Sequence, residues 1–369
     1  MSAFLHGVET VEIDSGLRPI TTVRSSVIGL IGTAPDADPL AFPLDTPVLI
    51  VGSRLEAAKL DMAGDGNGTL PAAIDGIFDQ TGAVIVVIRV AEDASPAVTL
   101  SNVIGGVDGA TEARTGIQAF LDAQSEVKQV PRILIAPGFS QNAVVATELI
   151  AIAERLRGVV SVDGPNPTDA EAIASVAALS GDRVFIVDPW VKVWDTTASA
   201  YAIEPPSARV AGLIAKMDAT KGFWWSPSNQ VINGIVGTAR QIDFNLYDPN
   251  SRGQLLNAAN VATIAQVNGW RLMGNRTTSI DPLWAFLSVR RTADMVYESI
   301  EKAHQWALDR PFSAQLLLDI RDGVAEYLRS LEARGALLGS AVWIDPELNT
   351  ETTLKAGQLF IDFDLEPPA

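Results

Sequence analysis

The chain has 369 residues, of which 47 % are hydrophobic and 19 % charged, a composition typical of a folded protein with more than one buried core. Its formal net charge of −17 excludes the basic field that a duplex-binding protein needs. The absence of cysteine excludes disulfides, thiolate catalysis and cysteine-ligated metal sites. Because of the acidic net charge, we expect no nucleic acid among its partners.

Residues 1–22 predict an extended arm with some strand character. Val8, Val11 and Ile13 are its apolar positions, and acidic residues and threonine separate them. The N-terminus has no basic region followed by an apolar run, so we expect no secretory signal. The longest apolar run, residues 83–88, is too short to cross a bilayer, so we expect no membrane insertion.

Residues 23–105 predict a small α/β domain. Its apolar runs and turn residues predict strands at 27–32, 48–51 and 83–90 and helices at 54–60 and 70–81. Ser53 is the predicted N-cap of the first helix, because its hydroxyl can accept a hydrogen bond from a backbone N–H.

Residues 106–256 predict a doubly wound domain. Helices are expected at 113–127, 143–157, 169–179 and 207–218, with strands at 132–136, 159–162 and 183–187. Continuous apolar strands that alternate with helices favour a parallel sheet covered on both faces.

Residues 257–369 predict an α+β domain. We expect helices at 260–266, 293–308 and 313–334, the last capped by Ser313, and strands at 270–272 and 286–290. The final strand, 358–366, alternates apolar with mostly acidic residues, and its apolar positions are Leu359, Ile361, Phe363 and Leu365. Such a strand needs a sheet edge, and the sequence leaves open whether that edge lies in the same chain or in another.

The motifs of common enzymes are missing from the sequence. The two histidines, His6 and His304, have no zinc-binding spacing, and no histidine lies between them to serve a Ser-His-Asp triad. No phosphate-binding loop is present, and the glycines of Gly64–Gly68 do not have the dinucleotide-binding spacing. We therefore expect no catalytic residue, cofactor or metal; a histidine-free α/β enzyme or ligand-binding protein stays the alternative.

Two groups of large side chains have both a binding and a packing interpretation. The aromatic run Phe223–Trp225 could stack a sugar or a base, but such clusters more often serve as packing or interface anchors. Arg271, Arg276, Arg290 and Arg291 could form an anion site; in so acidic a chain we expect them to pair with Asp and Glu across a packed or intersubunit surface.

Three segments carry a resemblance to a known family. Residues 205–229 join a proline pair, a small-residue helix and an aromatic–proline–Asn turn; residues 268–277 form a Gly–Arg–Thr corner, and residues 286–292 end in Arg-Arg-Thr. This combination resembles the contractile tail sheath proteins of phages such as P2 and of phage-tail-like bacteriocins, and the likeness extends over almost the whole chain.

The resemblance implies a structural, non-enzymatic subunit that polymerises helically around an inner tube and contracts to drive that tube through a cell envelope. It implies a multidomain α/β fold: a doubly wound, subtilisin-like domain and an α+β C-terminal inner domain with exchanged terminal strands. The exchanged positions would be Val8, Val11 and Ile13 of the arm and the four apolar positions of strand 358–366.

Partners and location follow from the same resemblance. We expect a homo-oligomer of stacked, hexameric rings, an inner tube protein, and baseplate and tail terminator proteins. Arg321 and Arg329 of helix 313–334 are the candidate tube-facing residues. The particle would be a virion tail or a bacteriocin, assembled in the bacterial cytoplasm. Another self-assembling structural protein is the nearer alternative.

Overall fold

The computed structural model describes residues 19–196, 198–309 and 313–369. The chain forms two compact units, one of residues 24–294 and one that joins residues 19–23 to residues 295–368. The fold is mixed α/β with a large mixed sheet, which confirms the predicted class in its coarse form. The four-part division at residues 22, 105 and 256 stays a prediction.

The elements of the described ranges are numbered in chain order. Strands β1 to β16 are Ile28–Thr33, Val48–Val51, Val84–Val90, Gly106–Val107, Arg114–Thr115, Ile133–Ile135, Val159–Asp163, Val184–Val187, Val191–Asp195, Ala200–Glu204, Gln230–Val231, Gly237–Thr238, Val261–Gln266, Trp270–Met273, Gly339–Trp343 and Asp362–Glu366. Helices α1 to α11 are Arg54–Ala57, Leu70–Phe78, Pro96–Ile104, Ala123–Glu126, Ala143–Leu156, Asp169–Ala178, Ser207–Thr220, Arg252–Ala258, Leu287–Ala303, Ala314–Ala333 and Glu351–Lys355.

A nine-stranded sheet organises the larger unit. Its order is β11-β14-β13-β8-β7-β6-β1-β3-β2, parallel from β13 to β3 and antiparallel at both margins. The connections leave β1 towards β3 on one side, and the chain later returns to β6 on the other side. The carboxyl ends of β1 and β6 therefore meet at a topological switch point, where α/β proteins commonly bind ligands.

Helices cover both faces of this sheet. One apolar cluster packs α2 and α7 against side chains such as Ile85 and Ile133, and the other packs α3, α5, α6 and α8 against Val86 and Leu134. Neighbouring residues of a strand point to opposite faces, so burial on both sides accounts for the continuous apolar strands in the sequence.

The second unit carries α10 and a separate two-stranded sheet, β15 and β16. Ser313 caps α10 as predicted, since its Oγ accepts from the backbone N–H of Leu316 at 3.0 Å. The buried positions of α10 recur at three- and four-residue spacing and include Leu316, Ile320, Val324 and Leu328.

Three sequence predictions of secondary structure are wrong. Residues 260–266, predicted as a helix, contain the buried strand β13, which pairs with β8. Residues 286–290, predicted as a strand, begin helix α9, because Arg290 and Asp294 pair one turn apart. The predicted helix 113–127 is a strand, a 3₁₀ segment and a short helix, since Gly116 has φ 57° and a Cβ at this position would lie 2.5 Å from the Val103 carbonyl oxygen.

Among the described residues, no helix combines the length and the apolar character needed to span a bilayer.

Candidate assembly site

The carboxyl edge of the sheet, the usual place for a ligand, is filled by contacts of the chain itself. Asp163 ends β7 and is buried; its Oδ2 accepts from the hydroxyls of Ser140 at 2.8 Å and Ser207 at 3.0 Å. Its Oδ1 accepts from the Ser207 N–H at 2.8 Å, at the N-terminus of α7. Burial raises the pKa of the Asp163 carboxyl to about 6, although the hydrogen bonds oppose the rise. Both serines are thus held by a carboxylate, and this unit contains no histidine that could activate them.

A second carboxylate at this edge is neutralised by arginine. Arg240 contacts Asp188, which follows β8, and its Nη2 lies 2.8 Å from Asp169. Burial raises the pKa of the Asp188 carboxyl despite the opposing Arg240 charge. Arg252 holds the pKa of Asp169 below its usual range through a charged hydrogen bond. Asp188, Asp169, Arg240 and Arg252 thus form one network of ion pairs.

A cavity of about 190 Å³ lies near the switch point. Thr69 before α2, Pro137 after β6 and Ala208 of α7 contribute to its lining. The cavity also reaches Arg209, whose Nη1 is 2.5 Å from the carboxylate of Glu204. The Arg209 guanidinium at the cavity is therefore already paired. Within the described ranges, no group of three or more acidic or histidine side chains could hold a metal ion.

The four arginines predicted to form ion pairs divide into two kinds. Arg290 pairs with Asp294 and Asp182, and Arg291 with Asp218, so the prediction of packed ion pairs is confirmed for these two. For Arg271 and Arg276 the contacts within the chain are of another kind, and their pairing across an intersubunit surface stays a prediction. Arg271 donates to the backbone oxygens of Val267 and Asn229, and Arg276 lies over the ring of Phe286. Each of the four guanidinium groups thus has its own contacts within the chain.

The aromatic run 223–225 contains a buried ring, that of Phe223, and a partly exposed ring, that of Trp225. Phe223 is buried and meets the ring of Trp224 edge to face at 5.1 Å, which is a packing contact. Trp225 is 46 % exposed, and the Lys221 ammonium lies 4.6 Å from its ring centroid.

The C-terminal strand closes on its own chain. β16 runs antiparallel to β15, with Phe363 opposite Val342 and Leu365 opposite Ser340. Both apolar side chains are only half-buried, and the Phe363 ring lies 5.8 Å from that of Tyr297. Leu359 and Ile361 are half-buried too but precede the strand, which begins at residue 362 rather than 358. The sequence had left pairing within the chain open, and the structure places this pairing in the isolated subunit.

This two-stranded sheet has an unpaired edge on each side within the described residues. β15 and β16 have only each other as strand neighbours. Two exposed positions of β16 are acidic, since Asp364 and Glu366 lie opposite Ala341 and Gly339; Asp362 lies opposite Trp343 and is half-buried. An unpaired edge of this kind can accept another strand, and the charges of the edge disfavour non-specific pairing.

An asparagine that sequence reasoning missed fixes the segment before β16. The Asn349 Nδ2 donates to the carbonyl of Phe360 at 2.8 Å, and its Oδ1 accepts from the Phe360 N–H at 2.9 Å. The same Nδ2 donates to the Asp345 carbonyl at 2.9 Å, which orients the amide. Asn349 thus binds the Phe360 backbone as a neighbouring strand would. No sequence signal marks it beyond its place in a loop.

Only the base of the N-terminal arm can be described. Val8, Val11 and Ile13 lie outside the described residues. The Val23 N–H donates to Ser299 Oγ at 3.1 Å, and the Thr22 hydroxyl lies 3.1 Å from the Tyr327 hydroxyl. The base of the arm is therefore held by Ser299 of α9 and Tyr327 of α10, both residues of the smaller unit.

The two candidate tube-facing arginines lie on α10 and pair with acids of that helix. Arg321 contacts Asp322 at 2.6 Å, and Arg329 contacts Glu326 at 2.8 Å. Arg329 is the more exposed, with 64 % of its side chain accessible. Nothing in these contacts tests whether they meet a tube.

Comparisons with known proteins agree along the chain. Residues 25–90 match the tail sheath protein Gp18 domain III N-terminal region, residues 111–278 the phage tail sheath protein central domain, and residues 279–369 the phage tail sheath C-terminal domain.

Individual relatives match over nearly their full length. A prophage major tail sheath protein of Pseudomonas aeruginosa is 41 % identical over all of this chain and 94 % of its own. The tail sheath protein of Escherichia phage P2 is 37 % identical over all of this chain and 93 % of its own.

Solved structures share the fold. The helical sheath of the anti-feeding prophage in the contracted state has a TM-score of 0.74 at 20 % identity, over all of this chain and 97 % of that one. The sheath of the PVC extracellular contractile injection system in the contracted state gives 0.73 at 19 %, over 100 % and 96 %.

Proposed function

The chain belongs to the phage tail sheath family, and on that premise we propose that it is a structural subunit of a contractile sheath that polymerises helically around an inner tube and drives the tube through a cell envelope. The observation that carries the proposal is identity of 41 % and 37 % to tail sheath proteins over the whole chain and nearly all of theirs. No covalent chemistry is required of the subunit, because the work comes from replacing one set of subunit contacts by a better one.

Strand exchange is the proposed link between subunits. The arm positions Val8, Val11 and Ile13 and the C-terminal positions Leu359, Ile361, Phe363 and Leu365 supply the side chains that set register, and backbone hydrogen bonds supply affinity. The unpaired edges of β15 and β16 support this proposal. Because each contact is head to tail and does not close on itself, repetition generates a helix of subunits.

The remaining partners follow from the same premise. Stacked hexameric rings would enclose the tube, with a baseplate and a tail terminator at the two ends of a virion tail or bacteriocin assembled in the bacterial cytoplasm. The α+β inner domain would face the tube through Arg321 and Arg329 of α10, and the doubly wound domain, subtilisin-like in this family, would lie further out. The extended packing would be metastable relative to the contracted one.

Electron microscopy of the purified protein tests the proposal. With the cognate tube protein added, we expect hollow, striated tubes whose length follows that of the inner tube. The tube protein alone is the control for smooth, narrow tubes. Uniform small particles in the presence of formed tubes would contradict a sheath function.

A further inference from the structure

The closure of β16 on its own chain is weakly supported. The sheet packs on α10 through β15 rather than β16, and the inward side chains Phe363 and Leu365 of β16 remain half-buried. The Oδ2 of Asp362 is buried with no hydrogen-bond partner among the described residues. A buried, unpaired carboxylate oxygen opposes the folded arrangement that contains it. The pairing in the isolated subunit is therefore one that can open.

The Asn349 amide is the side-chain contact that ties the approach to β16. Its two hydrogen bonds to Phe360 span the segment that contains Gly357, which adopts φ 79° with open space around it. Breaking these bonds would release the backbone of Phe360, whereas Ala356, Gly357 and Gln358 would keep their backbone hydrogen bonds to α11. Asn349 and Gly357 thus have the positions of a latch and a hinge.

We propose that β16 closed on β15 is a latched form of the free subunit, that Asn349 is the positioning residue that holds it, and that a second copy of this chain takes β16 when the sheath assembles. The inference rests on the proposed function, because it supplies the step by which a free subunit becomes a strand donor.

The length of the connection supports a second copy as the acceptor. Residues 344–361 join β15 to β16, and a fully extended segment of this length spans about 60 Å. The opened edge of β15 in a neighbouring copy offers β16 the same partners in the same register, from Gly339 opposite Glu366 to Trp343 opposite Asp362. Exchange of this strand between two copies therefore changes the free energy of the strand pairing little, because the same contacts are made in either copy.

A reversible lock tests whether β16 must leave. The chain has no cysteine, so a pair introduced at Ala341 and Asp364 would be its only disulfide. These residues lie directly opposite each other and are exposed, a spacing that a disulfide can bridge. We expect oxidised A341C/D364C to remain as folded small particles with tube protein present, and the reduced form to build tubes. The single variant Ala341→Cys is the control and should build tubes in both conditions.

The outcomes separate the inference from the function beneath it. Equal tube formation by the oxidised and reduced double variant, with the disulfide confirmed by mass spectrometry, would overturn the latch and leave the sheath function standing. Failure of wild type to build tubes would overturn the proposed function and the latch with it.

A second variant tests the role of Asn349 without a crosslink. Asn349→Ala should raise hydrogen exchange of the amides of residues 362–366 by about tenfold, the effect of losing roughly one net hydrogen bond, and shorten the lag of assembly. The amides of α10 should keep their wild-type exchange. Asn102→Ala removes an amide that also donates to a backbone carbonyl, that of Ala91, and serves as the control. Unchanged exchange in 362–366, or faster exchange with an unaltered lag, would overturn the assignment.

Discussion

The two units of the molecule differ in their most buried ion pairs and in the size of their largest sheets. Residues 24–294 include buried ion pairs: the aspartates of the Arg183–Asp294 and Arg291–Asp218 pairs are 2 % and 3 % exposed. In residues 295–368, pairs such as Arg329–Glu326 and Lys355–Glu351 lie in solvent. The first unit completes a nine-stranded sheet, whereas the second displays two strands. The smaller unit therefore keeps backbone N–H and C=O groups at the edges of β15 and β16 that can bind another strand.

Removing the last strand should produce the largest effect on that contrast. Deletion of residues 358–369 removes β16 but no strand of the nine-stranded sheet. We expect tube formation to be abolished while the unfolding temperature of the larger unit stays at its wild-type value. Negative-stain microscopy and calorimetry measure the two quantities. Normal tubes from the truncated chain would contradict strand exchange.

Breaking a buried ion pair should destabilise the larger unit severely. Asp294→Ala leaves the guanidinium groups of Arg183 and Arg290 without their shared carboxylate, and such a loss costs about 3–5 kcal/mol. Glu326→Ala is the matched change at an exposed pair and should cost less than about 1 kcal/mol. Urea unfolding followed by circular dichroism gives both values. Equal losses would remove the distinction between buried and exposed pairs.

The buried carboxyl of Asp163 should make stability depend on pH. Its pKa in the folded protein is raised from 3.8 to about 6, so its contribution is fully present below pH 3.8 and is lost as pH rises through 6. The difference corresponds to roughly 3 kcal/mol between pH 4 and pH 7. Asp163→Asn cannot ionise and should lack this dependence. Comparison of the urea midpoints of wild type and variant from pH 4 to 7 checks it; parallel curves would exclude the effect.

Charge reversal on α10 should have the smallest effect. Arg321→Glu with Arg329→Glu should weaken attachment to tubes by about tenfold, because exposed charge contacts contribute up to about 1 kcal/mol each. Lys355→Glu reverses a comparably exposed charge on α11 and is the control. Co-sedimentation with preformed tubes measures the affinity. Loss of the same size in the control would indicate a general charge effect.

The parallel sheet could be predicted from the sequence because its signal is local. Apolar runs such as 28–32 and 184–187 are buried on both faces, so they are apolar at every position. The prediction failed where tertiary contacts decide. Val261–Gln266 is a strand because it has β8 as a neighbour, and Leu287 begins a helix whose Arg290 meets Asp182, more than a hundred residues away.

The sequence predicted the C-terminal strand of the assembly site but not the Asn349 hydrogen bonds that hold the segment before it. The alternation in 358–366 predicted a strand that needs a partner, although the strand in the structure is four residues shorter. The sequence could not choose between cis and trans pairing, because β15 offers the same edge in either chain. It also gave no hint of Asn349, whose role depends on where Phe360 lies in space.

The base of the N-terminal arm also determines how the subunit bears tension. A pull through residues 1–18 arrives at Thr22 and Val23, each held by a neutral hydrogen bond, and then at Ser25. The Ser25 hydroxyl donates to Asp218 at 2.6 Å, and Arg291, paired with that carboxylate, donates to the Ser25 carbonyl. Charged hydrogen bonds are roughly twice as strong as neutral ones. The attachment therefore becomes stronger from Thr22 and Val23 towards Ser25. A pull on the arm would break the two neutral hydrogen bonds before it loads the charged ones.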